Sequence, residues 1–239
     1  MPYRVFNLDE VASYLHLSKQ DIQELVKRDE IPCERQGDRI VFRKKNIDGW
    51  ASQRILRLNG NSLVAYHRKS SAKAHDLSKK HAIIPEILKP EYIDPAMTSK
   101  TKASVIRDLV KLAGDTGLVP NARDLLKSLE ERERLGSTAL AGGIALLHPR
   151  NHEPNMFEDS FLVVGRTIQP IPFGSPDGST TDLFFLICCQ DDRIHLHVLA
   201  RICMICHHTS MLVEARDTTN PKAIYELLVK AEEEVVQQL

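Results

Sequence analysis

The sequence contains no apolar run that approaches the roughly 18 residues needed to span a bilayer. Its first residues also lack the apolar core of a secretory signal, so we expect a cytoplasmic protein that makes no membrane contact. The formal net charge is zero, which excludes a polycation that coats nucleic acid along its whole length. The five cysteines are an odd number and lie mostly in apolar runs, so they predict reduced, buried thiols.

The 239 residues provide enough chain for one large domain or two modest ones. Charge is unevenly distributed along the chain. Basic residues exceed acidic ones in residues 1–57 and more strongly in residues 58–82, whereas residues 83–239 are acidic. This local basic surplus indicates a head that binds a polyanion.

The N-terminal part of the chain carries dense signals for short helices and a hairpin. Apolar residues recur with the spacing of one helical face at Leu8, Val11, Ala12 and Leu15. Ser18 predicts the N-cap of a second helix, with Asp21 as its capping-box partner. Residues 34–43 have a short hairpin pattern with Gly37 at the turn, and residues 45–50 begin a third short helix.

Basic and polar side chains on the second helix and the hairpin predict contacts with DNA. A helix fits the major groove and presents side chains to base edges, whereas Lys and Arg neutralise phosphates. The candidate residues on the second helix are Lys19, Gln20, Gln23, Lys27 and Arg28. Those on the hairpin and its exit are Arg35, Arg39, Arg43, Lys44 and Lys45.

This segment resembles the excisionase-type, MerR-like family of winged helix-turn-helix domains. The likeness is carried by Leu8, Asp9, Glu10, Val11, Ala12, Tyr14, Leu15, Leu17, Ser18, Ile31, Pro32, Gly37, Phe42, Arg43, Ile47, Asp48 and Trp50. It covers nearly all of residues 1–57 and implies DNA binding, with a homodimer on two half-sites where binding is tight. Asp38 and Val41 stand where the family usually has basic wing residues. A small helical module that docks a protein is the alternative.

The remainder of the chain divides into a linker and a larger domain. Residues 58–82 are basic and polar with little periodicity, and we interpret them as a linker. Residues 83–239 alternate helical patterns with apolar runs, which predicts an α/β domain with a central sheet flanked by helices. Helices are expected at 105–113, 125–129, 194–205 (amphipathic) and from Pro221, and buried strands at 161–165 and 183–189.

His148 follows a glycine-containing apolar segment and is the sharpest chemical candidate. An imidazole nitrogen accepts a phosphoryl group near neutral pH, and the product needs cationic and hydrogen-bonding neighbours. The region resembles the enzyme IIA domain of the fructose/mannitol class of the sugar phosphotransferase system, including its nitrogen-regulatory members. The likeness extends over about residues 83–239. It is carried by Arg132, Glu133, Leu135, Ser137, Thr138, Gly143, Ile144, Ala145, His148, His195, Leu196, Val198, Leu199 and Ala200.

The resemblance implies a role for each matching residue. His148 would be the phosphorylated histidine, and His195 would orient it or bind the phosphoryl group. Arg132 and the hydroxyls of Ser137 and Thr138 would stabilise the phosphate charge. The family passes phosphate from a phosphohistidine carrier protein to a cysteine of a sugar-specific partner, and it implies no cofactor and no metal.

The two resemblances together predict a DNA-binding regulator that is phosphorylated by a phosphohistidine carrier protein. Leu147 stands where the enzyme IIA family has proline, so a degenerate module that binds a regulated protein target remains open. A plain phosphocarrier whose N-terminal domain docks a protein partner is a further alternative. Cys203, Cys206 and His207 match the spacing of a haem-attachment motif, but they lie on an apolar helix face, which favours a core helix.

Overall fold

The computed structural model describes residues 5–37, 39–58, 60–71, 82–150, 155–190 and 192–237. The chain divides into two compact units, Met1–Lys79 and Lys80–Leu239. Each unit has its own buried apolar core. Within the described ranges, no helix is both long enough and apolar enough to cross a membrane.

Four helices and three antiparallel strands form the described part of the first unit. The helices are α1 (Leu8–Tyr14), α2 (Lys19–Lys27), α3 (Lys44–Arg57) and α4 (Gly60–Ser71). The strands are β1 (Val5–Phe6), β2 (Glu34–Gln36) and β3 (Arg39–Arg43), in the order β1-β3-β2. Two short helices followed by a hairpin wing confirm the predicted helix-turn-helix architecture.

Local chemistry sets the boundaries of these elements. The predicted capping box forms at α2, where the Ser18 hydroxyl accepts the Asp21 N–H and the Asp21 carboxylate accepts the Ser18 N–H, both at 3.0 Å. Gly37 takes a φ of 61° at the hairpin turn, a conformation that glycine adopts without steric cost. The side chains beneath these elements are fully buried: Val11, Ile22, Phe42 and Ile47.

Two expectations for this unit need correction. The third helix is not short, because α3 runs for 14 residues. A helix, α4, occupies much of the segment interpreted as a linker, and it buries Leu63, Tyr66 and His67 against the unit. These apolar contacts outweigh the polar composition that suggested irregular structure. The rest of the expected linker, residues 72–81, lies outside the described residues, as does Asp38.

The second unit combines six α-helices and one short 3-10 helix (Pro90–Tyr92) with five strands in its described part. The helices are α5 (Ile84–Ile87), α6 (Lys102–Asp115), α7 (Ala122–Arg134), α8 (Asp192–His208), α9 (Met211–Arg216) and α10 (Pro221–Gln237). The strands are β4 (Ile93–Met97), β5 (Ala139–Leu140), β6 (Ile144–Leu147), β7 (Phe161–Ile171) and β8 (Thr181–Cys188). The predicted strand at 161–165 is confirmed within β7, and the one at 183–189 is confirmed by β8 up to Cys188, with Cys189 just beyond its end.

The five strands form one mixed sheet in the order β4-β7-β8-β6-β5. Strands β4 and β6 run parallel to β7 and β8 respectively, whereas β7 and β8 are antiparallel and pair from Phe161↔Cys188 to Arg166↔Leu183. The Leu183–Cys188 stretch of β8 is fully buried. A strand that is covered on both faces must be apolar throughout, which explains the apolar composition of this stretch. The predicted α/β class is confirmed.

Helix α8 is not amphipathic as expected, because every side chain from residue 195 to residue 206 is buried. Three of these side chains are polar: His195, His197 and Arg201. A helix that is enclosed on nearly all sides belongs to the core rather than to the surface. Cys203 and Cys206, near the end of α8, are therefore core side chains.

The cysteines agree with the expected reduced state. None of the five, all of which the structure describes, forms a disulfide, and four of them are buried. Burial raises the pKa of the Cys203 thiol to about 12 and also raises the pKa of Cys188 and Cys206. Cys33 is the exception because it is only half-buried.

Candidate functional site

The two candidate histidines meet at one edge of the central sheet. His148 follows the end of β6, and His195 lies near the start of α8, which follows β8. Because β6 and β8 are parallel neighbours, their carboxyl ends lie side by side. The two imidazole centroids are 4.8 Å apart with planes inclined by 44°, and both residues are 2% exposed.

Arg132 brings a guanidinium group against His148 from the last turn of α7. Its Nε donates a hydrogen bond of 3.0 Å to His148 Nε2, and its Nη1 donates to the Gly136 carbonyl at 3.0 Å. The structure therefore unites three of the five residues that the resemblance implied: Arg132, His148 and His195.

The neighbours of the His148 ring determine its tautomer. Nδ1 lies 2.9 Å from the Leu146 carbonyl oxygen, which can only accept, so Nδ1 carries the proton. The Arg132 guanidinium can only donate, so Nε2 carries the lone pair that meets it. The ring nitrogen that carries the lone pair is therefore Nε2.

The electrostatics of Arg132 are those of a buried cation. Burial lowers the pKa of its guanidinium, and the negative charge of Glu133 opposes this shift. Its Nη2 is buried and has no hydrogen-bond partner among the described residues. A buried donor without an acceptor is costly, so this atom is suited to an anionic ligand.

The hydroxyl groups of Ser137 and Thr138 bind partners other than the two histidines. The Ser137 hydroxyl donates to the Phe173 carbonyl at 2.8 Å, and the Thr138 hydroxyl donates to the Glu133 carboxylate at 2.8 Å. Both hydroxyl hydrogens are thus engaged in fixing the loop between α7 and β5. A direct contact of these hydroxyls with a phosphoryl group stays a prediction.

The chain on either side of His148 is held firmly. Leu147 is 2% exposed and pairs with Leu186 as the last residue of β6, so the ladder continues directly to the histidine. After the histidine, the Arg150 N–H donates to the Ser128 hydroxyl at 3.1 Å. Leucine in place of the family's proline therefore sits within a regular strand.

The ten predicted DNA-contact residues lie on α2 or at its C-cap, Arg28, on the hairpin or at the start of α3. Eight of them are exposed and, among the described residues, do not form a two-contact ion pair of the kind that Arg43 forms. These are Lys19, Gln20, Gln23, Lys27, Arg28, Arg35, Arg39 and Lys45. Arg43 forms a two-point ion pair with Glu34 across the hairpin, with one contact at 2.8 Å. Lys44 is 25% exposed in its side chain and pairs with Asp48 at 2.8 Å.

Partners of Lys19, Arg43 and Lys44 reduce the charge that these residues offer to a polyanion. The Lys19 ammonium lies 2.7 Å from the Asp9 carboxylate, although both side chains are more than half exposed. Such exposed pairs exchange readily, because their stability is of order 1 kcal/mol or less. The less exposed Lys44 pair is the stronger constraint, and it joins the start of α3 to Tyr14, whose hydroxyl donates to Asp48 at 2.6 Å.

Comparison with known families places the second unit. The family described as phosphoenolpyruvate-dependent sugar phosphotransferase system, EIIA 2, matches residues 86–231. This chain belongs to that enzyme IIA family. A second family, described as a helix-turn-helix domain, matches residues 5–55. The protein thus joins a helix-turn-helix domain to an enzyme IIA domain.

Relatives of the enzyme IIA domain are nitrogen regulatory proteins. The one from Bradyrhizobium diazoefficiens is 32% identical over 148 residues, which cover 61% of this chain and 94% of that protein. The one from Escherichia coli is 26% identical over 113 residues, which cover 45% of this chain and 66% of that protein. The enzyme IIA domain is therefore similar to the nitrogen-regulatory class.

Solved structures share the fold of the enzyme IIA domain. The nitrogen regulatory protein IIA-Ntr from Neisseria meningitidis aligns with a TM-score of 0.55 and 24% identity, covering 61% of this chain and 98% of that one. The IIA mannitol structure from Escherichia coli aligns with a TM-score of 0.53 and 21% identity, covering 59% and 98%. At these identities the likeness establishes the shared architecture.

Two participants in the site were not assigned from the sequence of the enzyme IIA domain. Leu146 contributes only its backbone carbonyl, which no side-chain pattern reveals. Glu133 was noticed as part of the motif, but no role was given to it. The available signal was the carboxylate directly after Arg132. Neighbouring side chains on a helix lie on different faces, so partners of Glu133 other than those of Arg132 could have been expected.

Proposed function

We propose that this protein is a DNA-binding regulator whose enzyme IIA domain accepts a phosphoryl group on His148 from a phosphohistidine carrier protein. The observation that carries the proposal is the arrangement of the His148 ring between the Leu146 carbonyl and Arg132, which leaves Nε2 as the nucleophile. The buried Nη2 of Arg132, which has no acceptor among the described residues, supports it further.

The transfer step needs only groups that the chain already holds. The bond from phosphorus to the donor imidazole breaks as the bond to His148 Nε2 forms, and the donor nitrogen recovers the electron pair. Arg132 first turns its Nε from Nε2 to the incoming oxygens, where a cation stabilises the charge that spreads over them. The Leu146 carbonyl keeps the proton on Nδ1 throughout.

His195 contributes through the ring that packs against His148. The centroids of the two rings are 4.8 Å apart, and we propose that His195 reaches a group attached to Nε2. It orients His148 and hydrogen-bonds the phosphoryl oxygens in the proposed state.

The family resemblance assigns no metal, and no cluster of three or more His, Cys, Asp or Glu suited to a metal occurs in the described ranges.

Phosphoryl transfer is tested with a general phosphohistidine carrier protein, its phosphoenolpyruvate-dependent kinase and labelled phosphoenolpyruvate. Acid-labile label should appear on the full chain and be absent from His148→Ala. His208→Ala is the matched control because that histidine is exposed, and it should label like the wild type. Equal labelling of the wild type and His148→Ala would refute the assignment of His148.

DNA binding is proposed for residues 1–57, with α2 in the major groove and the hairpin on the phosphates. One such domain makes few phosphate contacts, so we propose a homodimer on two half-sites. A selection from random oligonucleotides should yield a preferred sequence. On that sequence, Lys27→Ala should weaken binding and lower the slope of log affinity against log salt by about one. Lys222→Ala, in the exposed start of α10, should change neither.

The second candidate is a protein-docking role for the N-terminal domain. The pairing of Lys19, Arg43 and Lys44 with carboxylates favours it, because these groups are then less available to phosphates. No preferred DNA sequence in the selection, together with normal labelling of His148, would support this candidate. We also propose a domain boundary near 82/83, with cytoplasmic action beside the phosphocarrier proteins.

A further inference from the structure

Glu133 is a buried carboxylate next to Arg132 that the proposed transfer does not use. Its side chain is only 6% exposed. It accepts three kinds of donor: the Thr138 N–H at 3.1 and 3.2 Å, the Thr138 hydroxyl at 2.8 Å, and the Lys102 ammonium at 2.6 Å. A buried charge is stable only with such partners. Through its contacts with Thr138, Glu133 joins the end of α7 to the loop that follows it.

Thr138 continues this connection towards the histidine. Its carbonyl accepts the Leu146 N–H at 3.0 Å, and the Leu146 carbonyl in turn meets His148 Nδ1 at 2.9 Å. Fixing Thr138 therefore fixes the exit of β6 and the carbonyl that holds the Nδ1 proton. From the other side, Arg132, the neighbour of Glu133 on α7, holds Nε2.

Lys102 anchors the carboxylate from a different element. Its ammonium also donates to the Phe173 carbonyl at 2.9 Å, and the same oxygen accepts the Ser137 hydroxyl at 2.8 Å. The loop between α7 and β5 is thus fastened to α6 and to the segment after β7. A displacement of Glu133 would loosen this loop and both contacts of the His148 ring.

We propose that Glu133 is a positioning residue, whose Lys102-held carboxylate fixes Thr138 and thereby holds His148 in the tautomer with the proton on Nδ1. Its effect on phosphoryl transfer rests on the proposed function, whereas its effect on the tautomer does not. Thr138 then acts through its backbone and its bond to Glu133 rather than through contact with the phosphoryl group.

The test is nitrogen NMR of the full chain with labelled histidine, at a pH where the imidazole is neutral. Wild-type His148 should show the Nδ1–H tautomer. In Glu133→Gln, which no longer accepts from Lys102 and Thr138 together, we expect a mixture of tautomers. The rate of transfer at saturating carrier should also fall, by roughly 10- to 100-fold, while the KM for the carrier stays unchanged.

Glu130→Gln is the matched control, because Glu130 lies on the same helix with a 42% exposed side chain and pairs only loosely with Arg134 at 3.6 Å. It should keep the wild-type tautomer and rate. A folded Glu133→Gln with the wild-type Nδ1–H tautomer would overturn the proposal. If Glu133→Gln fails to fold, Thr138→Val removes one of the contacts and is judged by the same tautomer criterion.

The two proposals fail in distinguishable ways. A wild-type protein that never accepts phosphate on His148, yet whose tautomer changes in Glu133→Gln, would refute the proposed function and support the positioning role. A wild-type protein that accepts phosphate, with Glu133→Gln unchanged in tautomer and rate, would do the reverse.

Discussion

The single side chain of Arg132 makes two contacts in the site. Its Nε donates to His148 Nε2, and its Nη1 donates to the Gly136 carbonyl. Arg132→Lys preserves the positive charge but loses the planar fork that makes both bonds. We expect phosphoryl transfer to fall by roughly 100- to 1000-fold, the effect of removing one preorganised donor. Labelling rates measure this directly.

The control for this variant lies two residues away. Arg134 occupies the same last turn of α7, and its side chain is 72% exposed. Arg134→Lys should transfer phosphate at the wild-type rate. A similar loss in both variants would mean that the charge around the site, rather than the geometry of Arg132, sets the rate.

Gly143 supports the strand that leads to His148 through its backbone. Its φ is +80°, and a Cβ built there would lie 2.7 Å from Arg216 Nη2, which binds the Gly142 carbonyl and Asp182. Gly143→Ala should therefore destabilise the domain by about 1–3 kcal/mol. Gly114→Ala, in helix α6 with open space around it, should be neutral or stabilising. Urea unfolding of the two variants compares these effects.

Sequence reasoning reached the side chains of this site better than their orientations. His148, His195 and Arg132 were identifiable because a motif carries them. The hydroxyl of Thr138 was expected to meet phosphate, but its direction depends on Glu133, five residues earlier, and on how α7 packs. The role of the Leu146 carbonyl depends on the register of β6 and β5, which no composition reveals.

At the scale of elements, a buried ion pair joins α8 and α10. Arg201 Nη1 lies 2.7 Å from Glu232 Oε1, and both side chains are fully buried. The Glu232 carboxylate also accepts the N–H groups of Ile83 and Ile84 at 2.9 and 2.8 Å, so the start of the domain is fastened to its last helix. Burial lowers the pKa of Arg201, and Glu232 opposes this shift.

Breaking this pair should be costly because the remaining charge stays buried. We expect Glu232→Gln to lower the free energy of unfolding by about 3–5 kcal/mol. Glu226→Gln, which removes an exposed pair with Lys222 on the same helix, should change it by less than about 0.5 kcal/mol. Denaturant unfolding at neutral pH measures both, and equal effects would show that Glu232 is not the anchor.

The elements that sequence reasoning missed had weak local signals. Strand β4 contains Pro95 and only five residues, and its strand character comes from pairing beside β7. Strand β1 has two residues that gain their conformation from β3. Helix α4 hides three buried side chains among polar ones. By contrast, β7, β8, α2 and α10 were predictable from long apolar runs or from clear capping residues.

At the scale of the whole molecule, the protein joins a helix-turn-helix domain to an enzyme IIA domain in one chain. Phosphorylation would add roughly two negative charges to the second of these. A group of that charge would change any contact or assembly that involves the phosphorylated surface. We propose this change as the route from phosphorylation to DNA affinity.

The proposed regulation is tested by DNA affinity before and after phosphorylation. The selected DNA site is titrated with the full chain, untreated or fully labelled, and His148→Ala passes through the same phosphorylation mixture as the control. We expect phosphorylation to change the wild-type affinity by at least about 5-fold, the lower end of typical coupling, and to leave His148→Ala unchanged. Equal affinity of the labelled and unlabelled wild-type protein would contradict it.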